Sequence, residues 1–433
     1  MKLNRRTLAA SAVLAPLAST PFLRAAGAQT PELPFDHWHR FSGSSAESID
    51  RIAQLFNESN ESGYAVTAIS QGDIQELNQK VRTAAAGGGL PGSLMGDDYD
   101  ITQYTSADII VDLDPYIQDP EVGFTQEELD SFIPNQLDRH KLDIYDGRRM
   151  AMPQAFSAFA TWWNVEALQA AGYEKPVETW QEFPDFARAL QESNPDMVVY
   201  PESAPGDRFI SIMKTYGVEW LKEDGATANF DSPEALEIMT WWKECFDEGL
   251  IQFVQEGVYE MFAAGESFLF MASSAYIPEL SIATIEYNAG LPPQGQDNSS
   301  PMTETYGPIN CIPATDEETQ RAAWAWLKFL TTPQAYEEWI PGTSYFPAIP
   351  SVAESPELSW YYDENPVALK LLEEVAPVAS ILAPHPALTE VRGTITANVV
   401  NEVMLGQLAP EEGCQKLQAE AQDAIERASA GSS

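Results

Sequence analysis

Cationic side chains are scarce in this sequence: 24 Lys and Arg stand against 65 Asp and Glu, a formal net charge of -41 over 433 residues. A field of that sign repels polyanions, which excludes nucleic acid and anionic membrane as natural partners. Cysteine is nearly absent. Cys245, Cys311 and Cys414 are odd in number and widely spaced, so they build neither a disulfide framework nor a metal knot, and at most one bridge can form. Buried thiols acting as small hydrophobes are the plainer reading. Histidine is limited to four, with His37 and His39 two apart and His140 and His385 alone, which gives metal or triad chemistry little support. No Gly-x-Ser-x-Gly elbow occurs, and Gly87-Gly88-Gly89 lacks the Lys and Ser or Thr of a phosphate loop. No cofactor and no metal is expected. Beyond the first 28 residues no run is long and apolar enough to span a membrane.

What is present is a large supply of core material. With 44% hydrophobic and 11% aromatic residues, a chain of this length buries more than one core and should divide into two lobes. Lys2, Arg5 and Arg6 precede an apolar run, 8–23, and Ala26-Gly27-Ala28 fits signal-peptidase cleavage, so residues 1–28 read as a signal peptide. Asn4-Arg5-Arg6-Thr7-Leu8 looks like a twin-arginine (Tat) signal, although such pairs occur in Sec leaders as well, and both routes stay open. No Cys lies near the cleavage site, so a lipoprotein anchor is not expected and the mature protein should begin near Gln29, free in a periplasm. The acidity suits a salty habitat, where a Debye length of about 3 Å at 1 M screens self-repulsion. An acidic surface without special meaning is the alternative.

Strands and helices alternate from the start. Residues 35–39 and 64–69 read as strands, each followed by a helix, the first carrying Ile49, Ile52, Ala53, Leu55 and Phe56 and the second covering 74–86. That alternation predicts a doubly wound α/β lobe. Residues 152–182 are apolar and extended at first, then carry Trp162-Trp163-Asn164 and a helix with Val165, Leu168 and Ala171 that stops at Gly172. Pro176, with Thr179 as N-cap and Glu182 closing a capping box, opens the next helix. Further on, 267–272 reads as a buried strand delivering Ser273 and Ser274 to its end, where ligands sit in open α/β sheets.

The set Trp162, Trp163, Asn164, Ala171, Gly172, Pro176, Thr179, Trp180 and Glu182 resembles a segment of the bacterial extracellular solute-binding proteins of the carbohydrate type. Ala322, Ala323, Trp324, Leu327, Phe329, Leu330 and Pro333 resemble another. Gly342-Thr343-Ser344-Tyr345-Phe346-Pro347 is similar to the family's Thr-Gly-Tyr-x-Pro turn, with Ser344 in place of Gly. Trp38-His39 and Leu55-Phe56-Asn57 are similar to its Ugp-type glycerol-3-phosphate-binding branch. The resemblance implies an α/β, two-lobed periplasmic-binding-protein fold of type II with a hinge between lobes. Residues 29–152 and 303–344 would form the N-terminal lobe and 153–302 and 345–433 the C-terminal lobe. It further implies a monomer that closes on a small-molecule solute and delivers it to the membrane permease of an ABC importer.

The ligand positions carried over are Trp38, His39, Asp98, Ser157, Trp162, Ser273, Ser274, Gly307, Tyr345 and Arg392. Asp98 corresponds to the acidic residue after Gly-x-Pro that meets hydroxyls, and Arg392 to the arginine that pairs with phosphate. Helix capping is the other use of the acids and serines, and a surface salt bridge with Glu390 or Glu402 the other use of Arg392. The expected ligand is glycerol 3-phosphate or a glycerophosphodiester, ahead of a sugar or oligosaccharide. Where that branch carries second-lobe Trp residues, this chain has Glu202-Ser203-Ala204-Pro205-Gly206-Asp207-Arg208, which weakens the preference. The competing class is an exported glycoside or phosphoester hydrolase. It needs two carboxylates a few ångströms apart, and among 65 acidic residues their abundance proves nothing.

Overall fold

The computed structural model describes residues 33–296 and 300–431, so the expected leader and its cleavage site lie outside the described residues. The chain first builds a four-stranded sheet. Its strands are β1 (Leu33–His39), β2 (Tyr64–Ser70), β3 (Ser93–Gly96) and, much later, β10 (Ile309–Cys311), in the order β10-β3-β1-β2. β1 runs parallel to β2 and β3, as right-handed strand-helix-strand units require, and β10 returns antiparallel to β3. α1 (Gly43–Ser59) turns Ile49, Ile52, Ala53 and Phe56 inward at helical spacing. α2 (Ile74–Gly87) starts on an Asp73/Glu76 capping box and ends at Gly88 in the left-handed region.

The second sheet is organised on β4 (Ala155–Asn164), all ten residues of which are buried. Both faces of β4 are covered, so it shows no alternation. Its partners are β7 (Leu269–Ser273), β8 (Tyr287–Gly290), β9 (Thr303–Tyr306) and β11 (Phe346–Pro347), all antiparallel, with β12 (Ala379–Ser380) parallel to β9. β5 (Tyr200–Glu202) and β6 (Ile251–Phe253) form a separate parallel pair. Each sheet packs on two core clusters, one against either face. Phe56, Trp324, Trp326 and Trp339 pack with the first, whereas Trp180, Trp220, Trp242 and the last helix pack with the second.

The chain passes between the sheets three times. Met152 and Asn310 exchange backbone hydrogen bonds of 2.8 and 3.0 Å where the first two passages run side by side. The third follows the helix Pro333–Thr343, whose Trp339 faces the first core while Tyr336 and Ile340 face the second. Ser344 ends this helix at φ 55, a left-handed conformation that glycine adopts far more readily, with its hydroxyl 2.6 Å from that of Tyr361.

Three expectations are refined. β9 pairs with β4, placing 303–306 in the second sheet, so the return passage falls at Gly307 and Pro308. The helix foreseen after Thr179 begins at Phe183, because 179–182 turn to meet Gln294: Trp180 N–H donates to its carbonyl at 3.0 Å, and the Thr179 hydroxyl donates to the Glu182 carboxylate at 2.8 Å. The three cysteines are free and buried. Among the described residues no helix is long and apolar enough to cross a membrane.

Candidate functional site

A cleft of about 550 Å³ opens between the two sheets. The first lobe supplies Arg40, just past β1, and Asp97, Asp98 and Tyr99, where β3 gives way to α3 (Asp98–Ser106). The passages supply Ser157, Glu304, Tyr306, Gly307 and Tyr345. The second lobe supplies Glu202 from the end of β5, Asp207 and Arg208 from the helix Pro205–Thr215, Ser273 from the end of β7, and Arg392. These are strand ends and crossovers, where open α/β sheets leave room for ligands.

Two glycines permit the close approaches that shape the cleft. A Cβ at Gly307 would lie 2.4 Å from Asp97 Oδ1, and one at Gly206 would lie 2.8 Å from the Arg392 carbonyl oxygen. Only glycine lets the return strand reach Asp97 and lets the helix bearing Asp207 press on the π-helical turn Val391–Thr396 bearing Arg392.

Each arginine lining the cleft is met by carboxylate. Arg40 pairs with Asp97 at 3.0 Å and Arg208 with Glu202 at 2.9 Å. Arg392 donates through Nε to Asp207 at 2.6 Å and through both terminal nitrogens to Glu304, a two-pronged pair. Arg208 Nη1 is buried without a hydrogen-bond partner. Three arginines therefore face Asp97, Asp98, Glu202, Asp207 and Glu304, so the lining is net acidic. Tyr99, Tyr276, Tyr306 and Tyr345 add ring surface. Burial raises the Tyr345 hydroxyl above its ordinary pKa, keeping it a neutral donor.

The cleft brings together six of the ten expected residues: Asp98, Ser157, Ser273, Gly307, Tyr345 and Arg392. Asp98 is held by Arg139 and, at 2.8 Å, by His140. Burial opposes its charge, but these two partners outweigh burial and keep its carboxyl below the ordinary range. The salt bridges foreseen for Arg392 are not made: Glu390 pairs with Arg427 and Glu402 with Lys416, each at 2.6 Å, because they lie on the solvent side of their helices.

The other four lie off the lining. Trp162 is fully buried in the second core, its indole N–H donating to the Ser273 carbonyl at 3.1 Å. The Ser274 hydroxyl accepts from Ala158 N–H at 3.1 Å and ties β7 to β4. Trp38 packs against the first-lobe cluster of Leu77, Leu94 and Tyr145, and buried His39 accepts from Phe41 N–H at 3.2 Å, its pKa lowered by burial to about 4. Arg40, Asp97, Glu202, Asp207, Arg208 and Glu304 were missed. The clearest sequence signal for them was the polar run 202–208, standing where the resembling branch is aromatic.

Two α/β lobes with a solute-sized cleft at their crossovers define a two-lobed periplasmic-binding fold of type II. The chain belongs to the bacterial extracellular solute-binding proteins, whose family model matches residues 51–366. It is 23% identical over 350 residues, 78% of each chain, to the sn-glycerol-3-phosphate-binding periplasmic protein UgpB of Salmonella typhimurium. Among solved structures it is similar to UgpB from Mycobacterium tuberculosis in complex with glycerophosphocholine, with a TM-score of 0.77 at 19% identity, covering 91% of this chain and 98% of that one. It is equally similar to the cyclic alpha-maltosyl-1,6-maltose binding protein from Arthrobacter globiformis, with a TM-score of 0.77 at 18% identity, covering 91% and 99%.

Proposed function

We propose that the protein is the periplasmic solute-binding component of an ABC importer, capturing a small polyol-type solute between its lobes and presenting it to the permease. The carrying observation is the cleft lining itself: paired carboxylates and guanidinia interleaved with four tyrosine rings, contributed by both lobes. Planar polar groups offer hydrogen bonds to neighbouring hydroxyls, while ring faces cover the C–H surfaces between them. Contacts to both lobes let the solute stabilise the closed form.

Two kinds of solute fit that description. Glycerol 3-phosphate or a glycerophosphodiester is supported by the relatives, one named for the former and one solved with the latter. A neutral sugar or oligosaccharide is favoured by one observation, the engagement of Arg392 by Glu304 and Asp207. The test is a thermal-shift screen in molar salt with glycerol 3-phosphate, glycerophosphocholine and a panel of sugars, because a ligand bound to the native state raises its apparent stability. A saturable rise with any of them upholds the reading, and silence across the panel overturns the polyol class.

A further inference from the structure

We infer that Glu304 sets the charge selectivity of the cleft, holding Arg392 so that the second-lobe wall refuses phosphate and accepts uncharged polyols. The inference rests on the cleft being the solute site. Glu304 is 2% exposed and Arg392 9%, so this pair is inside the wall and not a solvated surface bridge. Its register is fixed on both sides: β9 pairs with β4 at Ser157 and Tyr306, and with β12 at Glu304 and Ser380. The Ser211 hydroxyl donates to Glu304 Oε2 at 2.5 Å, and the Tyr306 ring lies 5.8 Å from the Arg392 guanidinium.

The guanidinium fork that could hold two phosphate oxygens is thus filled by the two oxygens of Glu304, with Nε given to Asp207. One positive charge stands between two negative ones. An entering phosphate would have to displace a buried carboxylate and leave it unpaired at low dielectric, whereas a hydroxyl can donate to Asp207, whose side chain is 47% exposed, without disturbing the pair. The family resemblance alone implied phosphate at Arg392, and nothing near it in the chain foretells Glu304, which stands far upstream.

The test uses inorganic phosphate at fixed ionic strength, reading the thermal midpoint of the wild type, Glu304→Gln and Glu304→Gln/Arg392→Ala. Glutamine keeps the shape and removes the charge. Wild type should show no saturable response, Glu304→Gln should bind phosphate at least about tenfold more tightly, a gain of 1.4 kcal/mol or more, and the double variant should lose the gain. Phosphate binding by the wild type as tight as that of Glu304→Gln overturns the inference, as does a folded Glu304→Gln that stays unresponsive. If Glu304→Gln does not fold, Asp207→Asn, at the more exposed carboxylate, carries the test: a smaller gain in phosphate affinity supports the inference and no gain overturns it. The sugar panel on Ser273→Trp beside the wild type decides separately whether the cleft is the solute site.

Discussion

Gln103, on α3 of the first lobe, donates from Nε2 to the hydroxyl of Thr389 on the second, at 3.1 Å across the mouth of the cleft. The ring of Tyr99 packs against the second-lobe core from the same helix, and Asn135 Nδ2 donates to the Ala379 carbonyl at 2.8 Å nearer the hinge. The lobes are therefore in contact at more than one place. An exposed neutral hydrogen bond of this kind contributes about 0.5–1.5 kcal/mol. Gln103→Ala should weaken solute binding about twofold to tenfold by that amount, mainly through faster release, while leaving the unliganded unfolding midpoint unchanged. Stopped-flow release measured beside thermal unfolding checks both halves.

Trp162 is expected to act through the core. Removing a fully buried indole costs about 3–5 kcal/mol, and this one also holds the Ser273 carbonyl. Trp162→Ala should lower stability on that scale in denaturant titration. Trp162→Phe should keep most of the packing and bind solute within about threefold of wild type, under 1 kcal/mol. A loss of binding without a loss of stability in Trp162→Phe would instead make the ring a ligand contact.

Asp100 gives a pH dependence with a definite sign. Burial, reinforced by the charge of Asp97, raises its carboxyl to about 7. Its oxygens accept from Asn78 at 2.7 Å and from Asp97 N–H at 2.9 Å, with no cation bonded to it. The folded protein holds a proton that the unfolded chain releases above about pH 4. This contribution to stability is full below that value and is lost as pH rises through about 7. Asp100→Asn should therefore raise the unfolding midpoint at pH 8 more than at pH 5. An equal change at both pH values would contradict the assignment.

A net charge of -41 predicts that salt stabilises the fold. Self-repulsion falls as the Debye length contracts from about 10 Å at 0.1 M to about 3 Å at 1 M, so the unfolding midpoint should climb across that range in sodium chloride. A flat or falling midpoint would remove the case for a salt-adapted protein.

Much of the fold was legible because it rests on local chemistry. The strands near Phe35 and Val66, the helices around Ile52 and Leu77 and the short helix after Asn164 follow from spacing and capping residues that act over a few positions. The misplaced start at Thr179 shows the limit, since the same capping residues serve a turn once Gln294, distant in sequence, offers its carbonyl. Trp162 was misleading for a related reason: β4 is buried on both faces, so alternation cannot tell a cleft side from a core side. In the cleft, Ser273 was readable from the strand end it sits on, whereas Ser157 and Tyr345 came from the family resemblance. Asp207 and Arg208 showed only as part of the polar run 202–208, and Glu304 not at all, because one carboxylate among 65 carries no signal until the chain's passages bring it to its arginine.

The most direct test of solute capture between the lobes is calorimetric titration of the wild type and Ser273→Trp with the same sugars and glycerol phosphates. Ser273 lines the cleft at the end of β7, where an indole would fill the space a solute needs. Saturable heat with the wild type that vanishes in a folded Ser273→Trp is the predicted result. Unchanged heat in that variant would place the solute elsewhere and contradict the cleft as its site.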